Sequence, residues 1–97
     1  MADLHFSIMG KRYKLRYVKH MKDFGQCDEP ERKNKEIRIR EGQTEREELD
    51  TLLHELTHSL AWHQFDESWV TQAANDIGTV LWRLGWRKSS TGDSHRT

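Results

Sequence analysis

The chain has 97 residues, 34% of them hydrophobic and 33% charged, with no net charge, so it is read as one small domain with room for a single modest core. Its one cysteine, Cys27, excludes an internal disulfide framework, and no apolar run approaches the roughly 20 residues of a membrane span. With a polar N-terminus unlike a signal peptide, these features predict a cytoplasmic globular protein. The charge is uneven, however. Residues 1–40 hold eleven Lys/Arg against six Asp/Glu, and residues 41–97 hold five against ten, so the two halves attract each other or one presents a basic face.

"LHFSIMGKRYKLRYV" alternates apolar and polar residues on both sides of Gly10 and predicts a hairpin, with Tyr13, Leu15 and Tyr17 on one face. Residues 19–34 are polar, contain Gly25 and the single proline, Pro30, and read as a loop with room for a short strand around "FGQC". "KEIRIRE" alternates strictly, Ile37 and Ile39 against Arg38 and Arg40, and predicts a third strand stopped by Gly42. At Thr44 the period changes. Thr44 with Glu47 forms a capping-box pattern, and Leu49, Leu52, Leu53, Leu56 and Leu60 follow at helical spacing. Asp66 is placed to cap a second helix marked by Val70, Ala73, Ala74, Ile77, Val80, Leu81 and Leu84 and ended by Gly85. The expected fold is α+β: a small antiparallel sheet of about three strands followed by two helices, one domain over 1–87, with a disordered tail over 88–97.

The first helix carries "LLHELTHSLAW". At about 100° per residue His54 and His58 project side by side, on the face opposite the leucines, with Glu55 on the flank beside them. Two imidazoles four residues apart can reach one ion. A glutamate directly after the first histidine is badly placed to ligate that ion and well placed to take a proton from a water that it activates. A third ligand must come from elsewhere. Glu67 is favoured because it begins the apolar stripe of the second helix, where an unpaired carboxylate costs free energy. Asp66 and His63 are the alternatives: Asp66 would be occupied as a cap, and His63 follows His58 without a glycine to make the turn. With six histidines and nine glutamates in the chain, a shuffled sequence shows H-E-x-x-H in roughly 3% of cases, before any demand for a helix or for a downstream carboxylate.

These residues resemble the zincin metallopeptidase signature. The "IRI" strand, the "HELTH" helix and an acidic residue opening a second helix look like the compact zincin-like domains of phages and prophages, related to the ImmA/IrrE group. The resemblance covers residues 35–86. It implies a minimal zincin-like fold in which His54, His58 and Glu67 hold one Zn2+ and Glu55 is the general base of a zinc-dependent hydrolase that cuts a peptide bond. It also implies a protein or peptide substrate from phage or host, in the host cytoplasm if the chain is phage-encoded. Ala61 and Gln64 stand where a metzincin needs glycine and histidine, and Thr71 stands where a thermolysin-like enzyme has an aspartate.

In zincins substrate lies along an edge strand, for which "KEIRIRE" is the natural candidate; an ordinary edge kept soluble by Arg38 and Arg40 is an equal reading. "KRYKLRYVKH" interleaves basic and aromatic residues as nucleic-acid binders do, but a core face backed by a solvated face explains it better, so nucleic acid is disfavoured. Neither Tyr13 nor Tyr17 is assigned an oxyanion role, and Cys27 is read as a bystander rather than a fourth ligand. Trp62, Trp69, Trp82 and Trp86 are expected to extend a thin core or to form a partner surface. The competing function is a non-catalytic, zinc-scaffolded protein that binds a host protein or nucleic acid.

Overall fold

The computed structural model describes residues 4–88. Four strands, β1 (Leu4–Ile8), β2 (Lys11–Val18), β3 (Gly25–Cys27) and β4 (Glu36–Arg40), precede two helices, α1 (Glu45–Leu60) and α2 (Glu67–Arg83). The α+β class and the two helices agree with the sequence reading. The tail expected over 88–97 lies outside the described residues except for Lys88, whose ammonium sits 3.0 Å from the Glu48 carboxylate. Among the described residues no helix is long and apolar enough to cross a membrane.

The sheet has the order β1-β2-β4-β3 and is mixed, not wholly antiparallel. β1 and β2 form the expected hairpin, closed by the two-residue turn Met9–Gly10 with both φ angles positive, the geometry that matches the twist of the flanking strands. β2 then runs parallel to β4, Leu15 beside Ile37 and Tyr17 beside Ile39, while β3 pairs antiparallel with the far side of β4. β4 is therefore interior. The expectation of an edge strand at "KEIRIRE" is corrected, because both of its backbone edges are hydrogen-bonded. The edge beside the helices is β3.

Tyr13, Leu15, Ile37 and Ile39 form the core cluster, and Leu52 and Leu56 of α1 pack against it. The side of α1 that is most deeply buried is polar, however: Thr51, Glu55 and Ser59. The leucines spread over a neighbouring arc, and Leu49 and Leu52 with Tyr17, Leu81, Trp82 and Trp86 border a hollow of about 380 Å3, while Leu60 is exposed. The histidines still lie across the helix from this leucine arc, as the spacing predicts. On α2 only Val70, Ala74 and Gly78 are buried. Its expected core positions Ile77, Val80 and Leu84 are exposed, because α2 has one neighbour, α1, and its apolar arc is wider than that contact. Trp69 and Trp86 are exposed as well, so these tryptophans do not extend the core.

The opposite face of the sheet is held by charge. Asp28, almost fully buried, accepts from Arg38 Nη2 at 2.6 Å, from Arg38 Nη1 at 3.3 Å and from the Glu36 amide at 2.9 Å, while Arg38 also pairs with Glu36. Lys14 and Arg16 of β2 reach Glu36 too, so these two bases are engaged within the sheet. Burial pushes the Asp28 carboxyl up, but Arg38, the Glu36 amide and Arg32 together hold it below its ordinary value. A depressed carboxyl contributes stability that is present above its unfolded value, near 4, and is lost as pH falls through the lower folded value. Asp28→Asn is expected to cost about 2 kcal/mol in urea unfolding at pH 7, and the difference from wild type should shrink below about pH 4. A loss independent of pH would show that the charge is not what matters.

Candidate metal centre

The capping box at the start of α1 forms as its sequence predicts: the Glu47 amide donates to Thr44 Oγ1 and the Thr44 amide to Glu47 Oε1. This sets the helix register and therefore the direction of His54 and His58. Their rings lie 4.9 Å apart, centroid to centroid, in an edge-on arrangement, and His58 in turn contacts the Trp62 ring. Asp66 caps α2 by accepting from the Trp69 amide at 2.9 Å, which starts that helix at Glu67. The Glu67 carboxylate then meets both rings, Oε2 at 2.7 Å from His54 Nε2 and Oε1 at 3.0 Å from His58 Nε2.

Three ligand atoms, one each from His54, His58 and Glu67, thus lie within 4.8 Å of one another, and among the described residues no other group of His, Cys, Asp or Glu does so. The alternatives are placed elsewhere. Asp66 spends its carboxylate on the backbone, which holds that carboxyl below its ordinary value. His63 turns away to Glu31 at 3.6 Å. Two imidazole nitrogens and one carboxylate oxygen suit zinc, and the Glu67 side chain is 67% exposed.

The cluster stands in a cleft of about 690 Å3 between α1 and β3. Asp23, Asp50, Glu55 and Glu67 line it and no lysine or arginine does, so the cleft favours a cation. Glu55 is 7% exposed, and its carboxylate accepts no hydrogen bond among the described residues. Burial pushes its carboxyl up to about 7, with Glu67 and Asp23 adding to the rise and Arg38 opposing it. A buried carboxylate without a donor is costly unless it has a task. Cys27 also borders the cleft, but it is outside the three-residue cluster; its thiol donates to the Asp28 carbonyl and burial pushes it up to about 12. Neither tyrosine borders the cleft. Tyr13 is fully buried with its hydroxyl unpartnered, and Tyr17 donates to Glu48 at 2.8 Å.

The wall formed by β3 was not assigned to the site from the sequence. Gly25 is its decisive residue: a Cβ there would meet Thr51 Cγ2 at 2.6 Å and the Glu55 side chain at 3.0 Å. A glycine inside a strand pattern signals such close approach of backbone, and "DFGQC" carried that signal. In comparisons with protein-family models, with curated proteins and with solved structures, nothing matches the chain.

Gly25→Ala is expected to cost about 1–3 kcal/mol in thermal or urea unfolding by forcing Thr51 or Glu55 aside. Thr51→Ser, which removes Cγ2 and keeps the hydroxyl that donates to Gln43, should restore at least half of that loss in the double variant. No restoration would mean that α1 and β3 are not in contact at this point.

Proposed function

We propose that this chain is a metal-dependent peptidase of the zincin type, in which His54, His58 and Glu67 hold one zinc ion and Glu55 is the general base. The observation that carries the reading is the buried Glu55 carboxylate, without a donor among the described residues, in the same cleft as three converging ligand atoms. When bound, zinc supplies Lewis-acid polarisation of a carbonyl and lowers the pKa of a water toward 7.

The protein's own residues do the rest. Glu55 accepts a proton at its carboxylate as water adds to the peptide carbonyl, and returns it to the departing amine nitrogen. A carboxyl raised by burial to about 7 exchanges a proton in both directions near neutral pH more readily than an ordinary glutamate. β3 uses one backbone edge for β4 and turns the other toward the cleft, which suits it to hold an extended peptide by strand addition. The wall contributed by Trp62 and Phe24 offers apolar contact to substrate side chains.

Elemental analysis is expected to find about one zinc per chain in wild type and Glu55→Gln, and less than about a tenth of that in His54→Ala, His58→Ala and Glu67→Ala. Chelator should lower the melting temperature of wild type alone among wild type and the three ligand variants. Asp66→Ala should melt lower yet keep its zinc, and His63→Ala should keep both. Zinc retained in Glu67→Ala would remove it as a ligand, and no zinc in wild type would remove the reading altogether.

Cleavage of a peptide library, read by mass spectrometry, should fall about 10²- to 10⁴-fold in Glu55→Gln at unchanged zinc content. Cleavage that survives this substitution would remove Glu55 as the base, and no cleavage by zinc-loaded wild type would leave the non-catalytic zinc scaffold as the function.

A further inference from the structure

The outer surface of α2 carries a second organised feature, remote from the cleft. Trp69, Ala73, Ile77, Val80 and Leu84 fall within about 80° of the helix circumference at 100° per residue, next to the buried stripe Val70, Ala74 and Gly78. The four large side chains of the five are between 47% and 71% exposed, and Phe65 extends the stripe by stacking on Trp69 with ring centroids 3.9 Å apart. Together they leave on the order of 500 Å2 of apolar surface in water, the upper range for the largest patch of a monomer. Asp76 and Arg83 flank the stripe on the same side, about 20–40° outside it. They are two turns apart and too distant to pair with each other, and Arg83 makes no ion pair among the described residues.

We infer that this stripe is a self-association surface on which a second copy of the chain docks, α2 against α2, antiparallel about a twofold axis near residues 79–80. The register follows from the spacing. With that axis, residue numbers facing each other sum to about 159, so Ile77 inserts between Val80 and Leu84 of the second copy. Leu84 inserts between Ala73 and Ile77, and Val80 between Ile77 and Val80, which is knobs-into-holes packing throughout. A twofold antiparallel pair brings like flanks together, and the same register sets Asp76 opposite Arg83 of the second copy, twice. A parallel pair would set unlike flanks together and lose both ion pairs. One occupant thus covers Ala73, Ile77, Val80 and Leu84 and pairs the flanking charges, while positions 90 and 94, which this register sets opposite Trp69 and Phe65, lie beyond the end of α2. Without Trp69 and Phe65 the buried surface is below that of a standard specific interface, which predicts weak association, on the order of 100 µM. The axis lies about 20 Å along α2 from Glu67, so both clefts stay open.

Sedimentation velocity on the full chain is expected to show a dimer at about 100 µM. Asp76→Arg and Arg83→Asp should each weaken association at least tenfold by setting like charges together, and the double variant Asp76→Arg/Arg83→Asp should restore it. Val80→Glu should abolish it. All four variants alter exposed side chains, so unchanged circular dichroism and melting temperature of the monomer identify a loss of docking, not of folding. The measurement requires neither metal nor activity, so it stands or falls apart from the peptidase reading. A wild type that stays monomeric to about 0.5 mM, as it would if another protein or another segment of the chain covers the stripe, overturns the inference. So does a double variant as weak as the single ones.

Discussion

The structure depends on how closely α1 approaches β3. α1 packs Leu52 and Leu56 on the sheet's core, but against β3 it presents Thr51 and Glu55, and the missing side chain of Gly25 allows that approach. This contact rotates the helix so that its leucines fall into the wedge toward Tyr17 and Trp82 while its histidines open onto the other side. It also places Glu55 against β3, where burial raises its carboxyl. A bulkier residue at position 25 would push α1 outward and expose the carboxylate. The same small residue sets the packing distance, the direction of the imidazoles and the environment of the acid.

Electrostatics then divides the molecule into two regions. On the far face of the sheet the acids are saturated: Asp28 and Glu36 share Arg38, Arg16, Lys14 and Arg32. In the cleft four carboxylates gather without a lysine or arginine among the lining residues. The opposite charges of the two halves of the sequence do not simply attract. Lys14, Arg16, Arg32 and Arg38 of the first half pair with Asp28 and Glu36 of that same half, and the cleft, lined by acids of both halves, is where a cation fits. Arg38 links the regions, because it holds Asp28 on its own face and opposes the rise of Glu55 on the other.

Much of this was legible in the sequence because it is local. The capping box at Thr44, the Asp66 cap, the hairpin and the side-by-side histidines each depend on residues within about one turn or one strand of each other. The exclusion of Asp66 follows the same logic, since a residue already used as a cap is not free to face the imidazoles. The burial expected for Glu67 at the start of the apolar stripe is not found: its side chain is exposed. What could not be read was the neighbour of each element. Strict alternation in "KEIRIRE" says that one face is buried, not that both edges are paired, and the chain passes the position of β4 to lay down β3 before returning between β2 and β3. The apolar spacing of α2 likewise defines an arc without stating how many partners cover it. Ile77, Val80 and Leu84 are apolar for a reason that the fold of one chain does not use.

Small domains are short of core, and this one has only six buried hydrophobic residues among those described, two of them on α2. Val70 and Ala74, with Gly78, let α2 lie close against α1, where Arg46 bridges to Asp50 and Thr79, but small side chains remove little apolar surface from water. Trp69, Ile77 and Val80 point outward instead. On the readings proposed above, two bonds from outside the core make up the difference: a metal that ties Glu67 at the start of α2 to the middle of α1, and a second α2 that covers the stripe. The two act at opposite ends of the same helix. Coordination within the cleft fixes where α2 begins and docking fixes its outer face away from the cleft, so the site stays accessible in a domain too small to enclose it.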